Sequence, residues 1–176
     1  YAQKAIDAIN PMWFIAENVP GLMTSSGHDI MQEFANSGSG YKLSVHLFNF
    51  EEYGVPQKRQ RVIGVGIRSD LNKIFLPPVS THLTSVSSRE ALKNVHLIEA
   101  NNEMPRHSQK VKDLLASIPP GQNCWCEEVP EHLRLNVKKV KMSLIYRRLH
   151  PDKPSYTIVA SGGGGTLGYH YEEFRA

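Results

Sequence analysis

Phe14-Ile15-Ala16-Glu17-Asn18-Val19-Pro20-Gly21-Leu22 decides how this chain is read. The apolar run from Met12 to Ala16 suits a strand buried on both faces, and Pro20-Gly21 ends it. Such a strand delivers a carboxylate and an amide, Glu17 and Asn18, to its exposed end. Upstream, Ala2 to Ile9 carries Ala5, Ile6 and Ile9 at helical spacing and stops at Asn10-Pro11, a normal helix exit. Downstream, His28 to Ala35 reads as an amphipathic helix with Ile30, Met31 and Phe34 on one side and Asn36-Ser37-Gly38 as its terminator. Tyr41 to Phe50 alternates Leu43, Val45 and Leu47 against Lys42, Ser44 and His46, which is strand behaviour. Glu51 to Pro56 turns the chain, and Arg61 to Ile67 is a further strand whose glycines predict close packing of backbone. The fold class is α/β, and two consecutive strands with no helix between them predict an antiparallel last pair.

The character changes after Leu76-Pro77-Pro78. Periodicity weakens while Ser, Thr, His, Asn and Pro accumulate, so the sequence predicts one domain over residues 1–76 and a second, irregular mixed α/β domain over 77–176. Within the second, Ser88 to Leu97 and Gln109 to Ser117 read as short helices. Tyr156 to Ala160 reads as a strand entering Ser161-Gly162-Gly163-Gly164-Gly165-Thr166.

With 176 residues, 40% hydrophobic and 21% charged, the chain has the bulk of an ordinary globular protein. No apolar run reaches the roughly 18 residues of a membrane span, and the first residues lack a charged-then-apolar leader pattern. A net charge of +3 permits a polyanionic partner without requiring one. Its distribution is more telling: Lys58, Arg59, Arg61 and Arg68 form one basic cluster, and Arg134, Lys138, Lys139, Lys141, Arg147 and Arg148 a second. Each suits either phosphate contact or a solvated face. Cys124 and Cys126 are too close for zinc-pair spacing and the eight histidines show no ligand pattern, so no metal is expected. Structural thiols in a reduced bacterial cytoplasm are the expectation.

Glu17-Asn18-Val19, followed by the Tyr53-Gly54-Val55-Pro56 turn and Gln57-Lys58-Arg59-Gln60-Arg61, resembles the DNA cytosine-5 methyltransferases. The resemblance covers most of the chain. It implies the C-terminal part of a Rossmann-like, S-adenosylmethionine-dependent catalytic sheet over residues 1–76, and a DNA-binding target-recognition domain over 77–176. In that family a cysteine thiolate adds to C6 of cytosine, an acid serves N3 and an arginine holds the O2 edge. The resulting enamine then takes the methyl group of S-adenosylmethionine.

Matched residue by residue, the resemblance implies that Glu17 is the N3 partner and that Asn18 braces the nucleophile loop. Arg61 would contact the flipped base and the active-site loop, and Arg59 would contribute to the same charged wall or to the phosphates. Two arginines at alternate positions face one side of a strand, and a guanidinium keeps a fixed fork of donors that lysine lacks. A carboxyl group at N3 is most useful where the site is dry. Duplex DNA is the implied partner, met by Gln57, Arg59 and Arg61 and, in the recognition region, by Thr157, Ser161, Gly162, Gly163 and Gly164. Glycines there would let backbone approach phosphates and base edges, and the same run also suits a flexible connector. The run is no P-loop, because no Gly-Lys-Ser/Thr follows it.

The family's Pro-Cys nucleophile is absent, since neither Cys124 nor Cys126 follows a proline, and so is its glycine-rich cofactor turn. Cofactor-binding residues are expected mainly upstream of Tyr1. The chain therefore reads as part of a methyltransferase of a restriction-modification system. It is a portion of one, a truncated gene product, or a subunit that a complementary N-terminal chain completes. Alone, it is not expected to methylate. The rival readings are a non-catalytic DNA-binding or regulatory module with the same fold, and a tRNA cytosine-5 methyltransferase.

Overall fold

The computed structural model describes every residue except Thr24, Asn101, Glu103, 137–141, 159–167 and 175–176, and for 25–28 only the backbone. The chain forms two compact units. The first comprises residues 1–53 with 59–83, and the second 54–58 with 84–176. The change of composition at Pro77 thus precedes the division at Leu83, and a five-residue piece of the turn region, 54–58, belongs with the second unit.

In the first unit, α1 (Ala2–Ile9) ends where Asn10 adopts a left-handed conformation (φ 46°) and donates its backbone N–H to the Ile6 carbonyl at 2.8 Å. Asparagine tolerates this region, and Pro11 forbids another helical turn. Strand β1 (Trp13–Asn18), helix α2 (Ser25–Ala35) and strand β2 (Tyr41–Asn49) follow. After the second unit's short strand β3 (Gln57–Lys58), strand β4 (Gln60–Arg68) returns to the first unit. The sheet has order β1-β4-β2, and both pairings are antiparallel.

Its core explains the glycines of β4. Gly66 stands opposite Phe14, whose ring fills the space a side chain would occupy: a Cβ on Gly66 would lie 2.3 Å from Phe14 Cε1. The same ring meets Phe34 and Tyr41 edge-on at 6.1 and 5.0 Å between centroids, a favoured aromatic geometry. Val62 and Val65 are buried on either side. One expectation needs correction. β1 is paired on one side only, by β4, and alternate residues of its run, Trp13 and Ile15, are each 61% exposed. It is an edge strand of this sheet, not a strand buried on both faces.

In the second unit, α3 (Ser88–Leu92) and α4 (Gln109–Ser117) are each opened by a serine. Ser87 accepts from the Glu90 N–H at 3.2 Å, and Ser108 from the Val111 N–H at 3.4 Å, as N-caps do. Leu114 and Ile118 pack with Cys124, Val129 and Leu133 into one core. Both cysteines are free thiols, and burial pushes Cys124 up to about 11. Strand β5 (Ser155–Tyr156) pairs in parallel with β3, Gln57 opposite Ser155 and Lys58 opposite Tyr156. The strand expected over Tyr156 to Ala160 is thus shorter and begins one residue earlier. Thr157 and Ile158 lie outside it, and Val159 and Ala160 outside the described residues.

The second basic cluster is not one surface. Arg148 is only 8% exposed. Its guanidinium donates to the carbonyls of Ile118 (2.7 Å), Leu115 (3.4 Å), His170 (3.5 Å) and Tyr171. Lys138, Lys139 and Lys141 lie outside the described residues. No helix among the described residues is long and apolar enough to cross a membrane.

Candidate active site at the strand ends of the first unit

Register places the charged residues before any side chain is considered. Glu17 of β1 stands opposite Ile63 of β4. Side chains alternate between faces, so Arg61, two residues before Ile63, shares the face of Glu17 as its diagonal neighbour, within reach of a long side chain. The pair forms: Arg61 Nε lies 2.8 Å from Glu17 Oε1. Arg59 approaches the same oxygen at 3.9 Å. Arg61 also donates through Nη1 to the Gln60 carbonyl at 2.7 Å, which steadies the guanidinium. The arginine side chains are 17% and 31% exposed for Arg61 and Arg59, against 51% for Glu17. The dry setting expected of Glu17 is therefore not provided by the preceding apolar run, because the acid stands at the open end of an edge strand.

Asn18 uses its side chain locally. Its Oδ1 accepts the Val19 N–H at 2.8 Å, which shapes the exit from β1 into the 3-10 turn Pro20–Met23. Beside these residues lies a cleft of ≈ 410 Å³ between β1 and the helices, with Phe14, Leu22, Met31 and Phe34 among its walls. Glu17 and Asn18 are its polar members.

The structure divides the remaining predicted residues. The Gln57-to-Arg61 motif is not the opening of one strand: Gln57 and Lys58 form β3 with the second unit, while Arg59 and Arg61 belong to the first. Thr157 donates its hydroxyl to the Lys58 carbonyl at 2.7 Å and so secures β3 beside β5. Ser161, Gly162, Gly163 and Gly164 lie outside the described residues. No group of three metal-ligating side chains occurs among the described residues.

The described residues do not fit S-adenosylmethionine by themselves. Its ribose hydroxyls and ammonium group call for acceptors. The cleft of the first unit offers one carboxylate, which Arg61 already holds, and one amide, whose oxygen already accepts the Val19 N–H, in otherwise apolar walls. What the pair can do is present a fixed carboxyl oxygen and guanidinium donors to a flat polar ring.

Comparison with known proteins identifies the family of the chain. The family profile described as C-5 cytosine-specific DNA methylase matches residues 1–173. Type II methyltransferase M.BbvI of Brevibacillus brevis is 52% identical over the whole chain, which covers 49% of that protein. Type II methyltransferase M.NgoFVII of Neisseria gonorrhoeae is 38% identical over 98% of the chain and 48% of its own length. The chain thus spans about half the length of these relatives. A solved structure described as a prophage-encoded DNA modification methyltransferase from E. coli shares the fold with a TM-score of 0.64 at 19% identity, covering 99% of this chain and 58% of that one. By its profile match along nearly its full length, the chain belongs to the C-5 cytosine-specific DNA methylase family.

Proposed function

We propose that this chain carries the base-holding wall and the target-recognition region of a DNA cytosine-5 methyltransferase from a restriction-modification system. In this reading residues 1–76 are the C-terminal part of a Rossmann-like catalytic domain, and residues 77–176 recognise duplex DNA. The observation that carries it is the 2.8 Å pair between Glu17 and Arg61 at neighbouring strand ends. Family membership and the names of the relatives support it.

Cytosine C5 is a poor nucleophile until a thiolate adds at C6 and charge moves onto N3 and O2. Glu17 serves the N3 edge. Both guanidinium contacts are made to Oε1, which leaves Oε2 for the base. Arg61 fixes the carboxyl and offers donors to O2, where charge develops. Arg59 adds to the positive wall. Asn18 sets the turn that follows the acid. A ring atom inside a stacked duplex is out of reach, so the cytosine turns out of the helix.

S-adenosylmethionine supplies the methyl group when bound, at a place these residues do not form. The thiolate is also supplied from elsewhere, because Cys124 is buried in the core of the second unit, Cys126 packs against that core, and neither follows a proline. The test is methyl transfer to duplex DNA by a protein uniting this chain with a Pro-Cys loop and a cofactor turn. Glu17→Gln should lower turnover by about 10²–10⁴-fold, the range for lost acid–base assistance, while duplex binding persists. Full turnover by that variant, or transfer to tRNA in preference to DNA, would overturn the proposal.

A further inference from the structure

Arg147 and Arg148 are neighbours in sequence, but the fold puts them to different uses. While Arg148 is spent on backbone carbonyls, Arg147 is half-buried beside a concave surface of ≈ 260 Å³ in the second unit. Lys58, His150, Lys153 and Tyr156 line the same cavity, and among the described residues no carboxylate does.

Its parts are held in place. The Arg147 guanidinium lies over the Tyr156 ring, 4.6 Å from the centroid, and Tyr156 donates its hydroxyl to the Arg147 carbonyl at 2.9 Å. The backbone of Lys58 is fixed by pairing with β5 and by the Thr157 hydroxyl. His150 accepts the Asp152 N–H on Nδ1 at 3.1 Å. A neutral ring in that role carries its proton on Nε2, as a donor. Asp152, the acid next to Lys153, is occupied by Arg89 at 3.0 Å. Among the described residues, Lys58, Arg147 and Lys153 form no ion pair. Three unneutralised cations around one hollow raise its potential toward an anion. Its volume falls below the roughly 300 Å³ at which pockets for whole small ligands begin, so a single tetrahedral anionic group fits better than a nucleotide.

We propose that this cavity seats one backbone phosphodiester of the DNA duplex, held by Lys58, Arg147 and Lys153. The inference rests on the reading of the chain as a DNA-acting protein and adds to it a sequence-independent anchor, separate from any base-reading group. Phosphate contacts position a protein without reading sequence.

The test is duplex binding by the full chain across a salt series, on two unrelated sequences. Lys58→Gln with Lys153→Gln should flatten the log–log salt slope by up to about 0.9, the value for one phosphate no longer neutralised, and weaken both duplexes equally. Lys58→Arg with Lys153→Arg should restore the slope, and this conservative pair keeps the test decisive if the Gln pair folds poorly. Lys4→Gln, an exposed lysine of α1, should leave the slope unchanged. An unaltered slope in the Gln pair, or a loss confined to one sequence, would overturn the phosphate seat while the DNA reading stands. Competition by inorganic phosphate without any slope change in the Gln pair would do the same. A wild-type chain that binds no duplex at any salt would overturn both.

Discussion

Replacing Arg148 by methionine should cost the second unit about 3 kcal/mol, the lower end of what breaking a buried charged contact costs. The figure follows from four carbonyls. Ile118, at 2.7 Å, and Tyr171 are close partners, whereas Leu115 and His170, at 3.4 and 3.5 Å, are marginal. Hydrogen bonds to a charged group contribute about 1.5–3 kcal/mol each, so the two close ones give roughly 3–6 kcal/mol. Against this stands the burial of a guanidinium that forms no ion pair among the described residues, and that burial holds its pKa below the usual value. Methionine recovers part of that desolvation cost but leaves the carbonyl at the end of α4 unpaired. Urea unfolding should be followed by Trp125 fluorescence in a Trp13→Phe background, since the chain's two tryptophans fall one in each unit. Arg148→Met should lower the midpoint steeply, and Arg148→Lys should fall between, because an ammonium cannot span the same set of oxygens. A change within about 0.5 kcal/mol, the size of an ordinary surface substitution, would refute the reasoning.

Other outcomes follow from the packing and the titratable groups. Gly66→Ala places a Cβ against the Phe14 ring and should destabilise the first unit by about 1–3 kcal/mol; thermal unfolding at wild-type temperature would contradict this. Native alkylation should modify Cys126 before Cys124, because Cys124 is buried and its thiol is pushed up to about 11; mass mapping that finds the reverse order counts against the core assignment. Burial also raises Tyr156 and Tyr169 to about 12. In the unfolded chain these thiol and phenol groups ionise first, so their contribution is complete below their ordinary values, 9.0 and 10.0, and is lost as pH rises through 11 and 12. Urea midpoints that stay level on either side of pH 9 would exclude it.

Where hydrophobic period and terminators agreed, the sequence was a sufficient guide. Ala2–Ile9 and Gln109–Ser117 are helices with the bounds their patterns imply, and the alternation from Tyr41 produced an antiparallel strand. Helix α2 begins at Ser25 instead of His28, because a first turn without large apolar residues leaves no periodic mark. The exposure of β1 was illegible, since an apolar run looks the same at an edge as in the middle of a sheet.

The site was legible in part for the same reason. Alternation along β4 is enough to bring Arg61 to the face of Glu17, and Arg59, the residue before β4, approaches the same carboxylate. That Gln57 and Lys58 join a different unit was not legible, because β3 and β5 are two residues each and their pairing is decided by contacts remote in sequence. Nor does any local signal separate Arg147 from Arg148; which of them turns inward depends on carbonyls supplied from α4 and from His170 and Tyr171.

The central claim is that Glu17 and Arg61 act as one unit on an extruded cytosine, and a double-mutant cycle on methyl transfer tests it most directly. Glu17→Gln and Arg61→Gln should each depress turnover, and the double variant should be little slower than the worse single one, as expected of residues that share a function. Losses that simply multiply would show the two side chains working independently and would contradict the account.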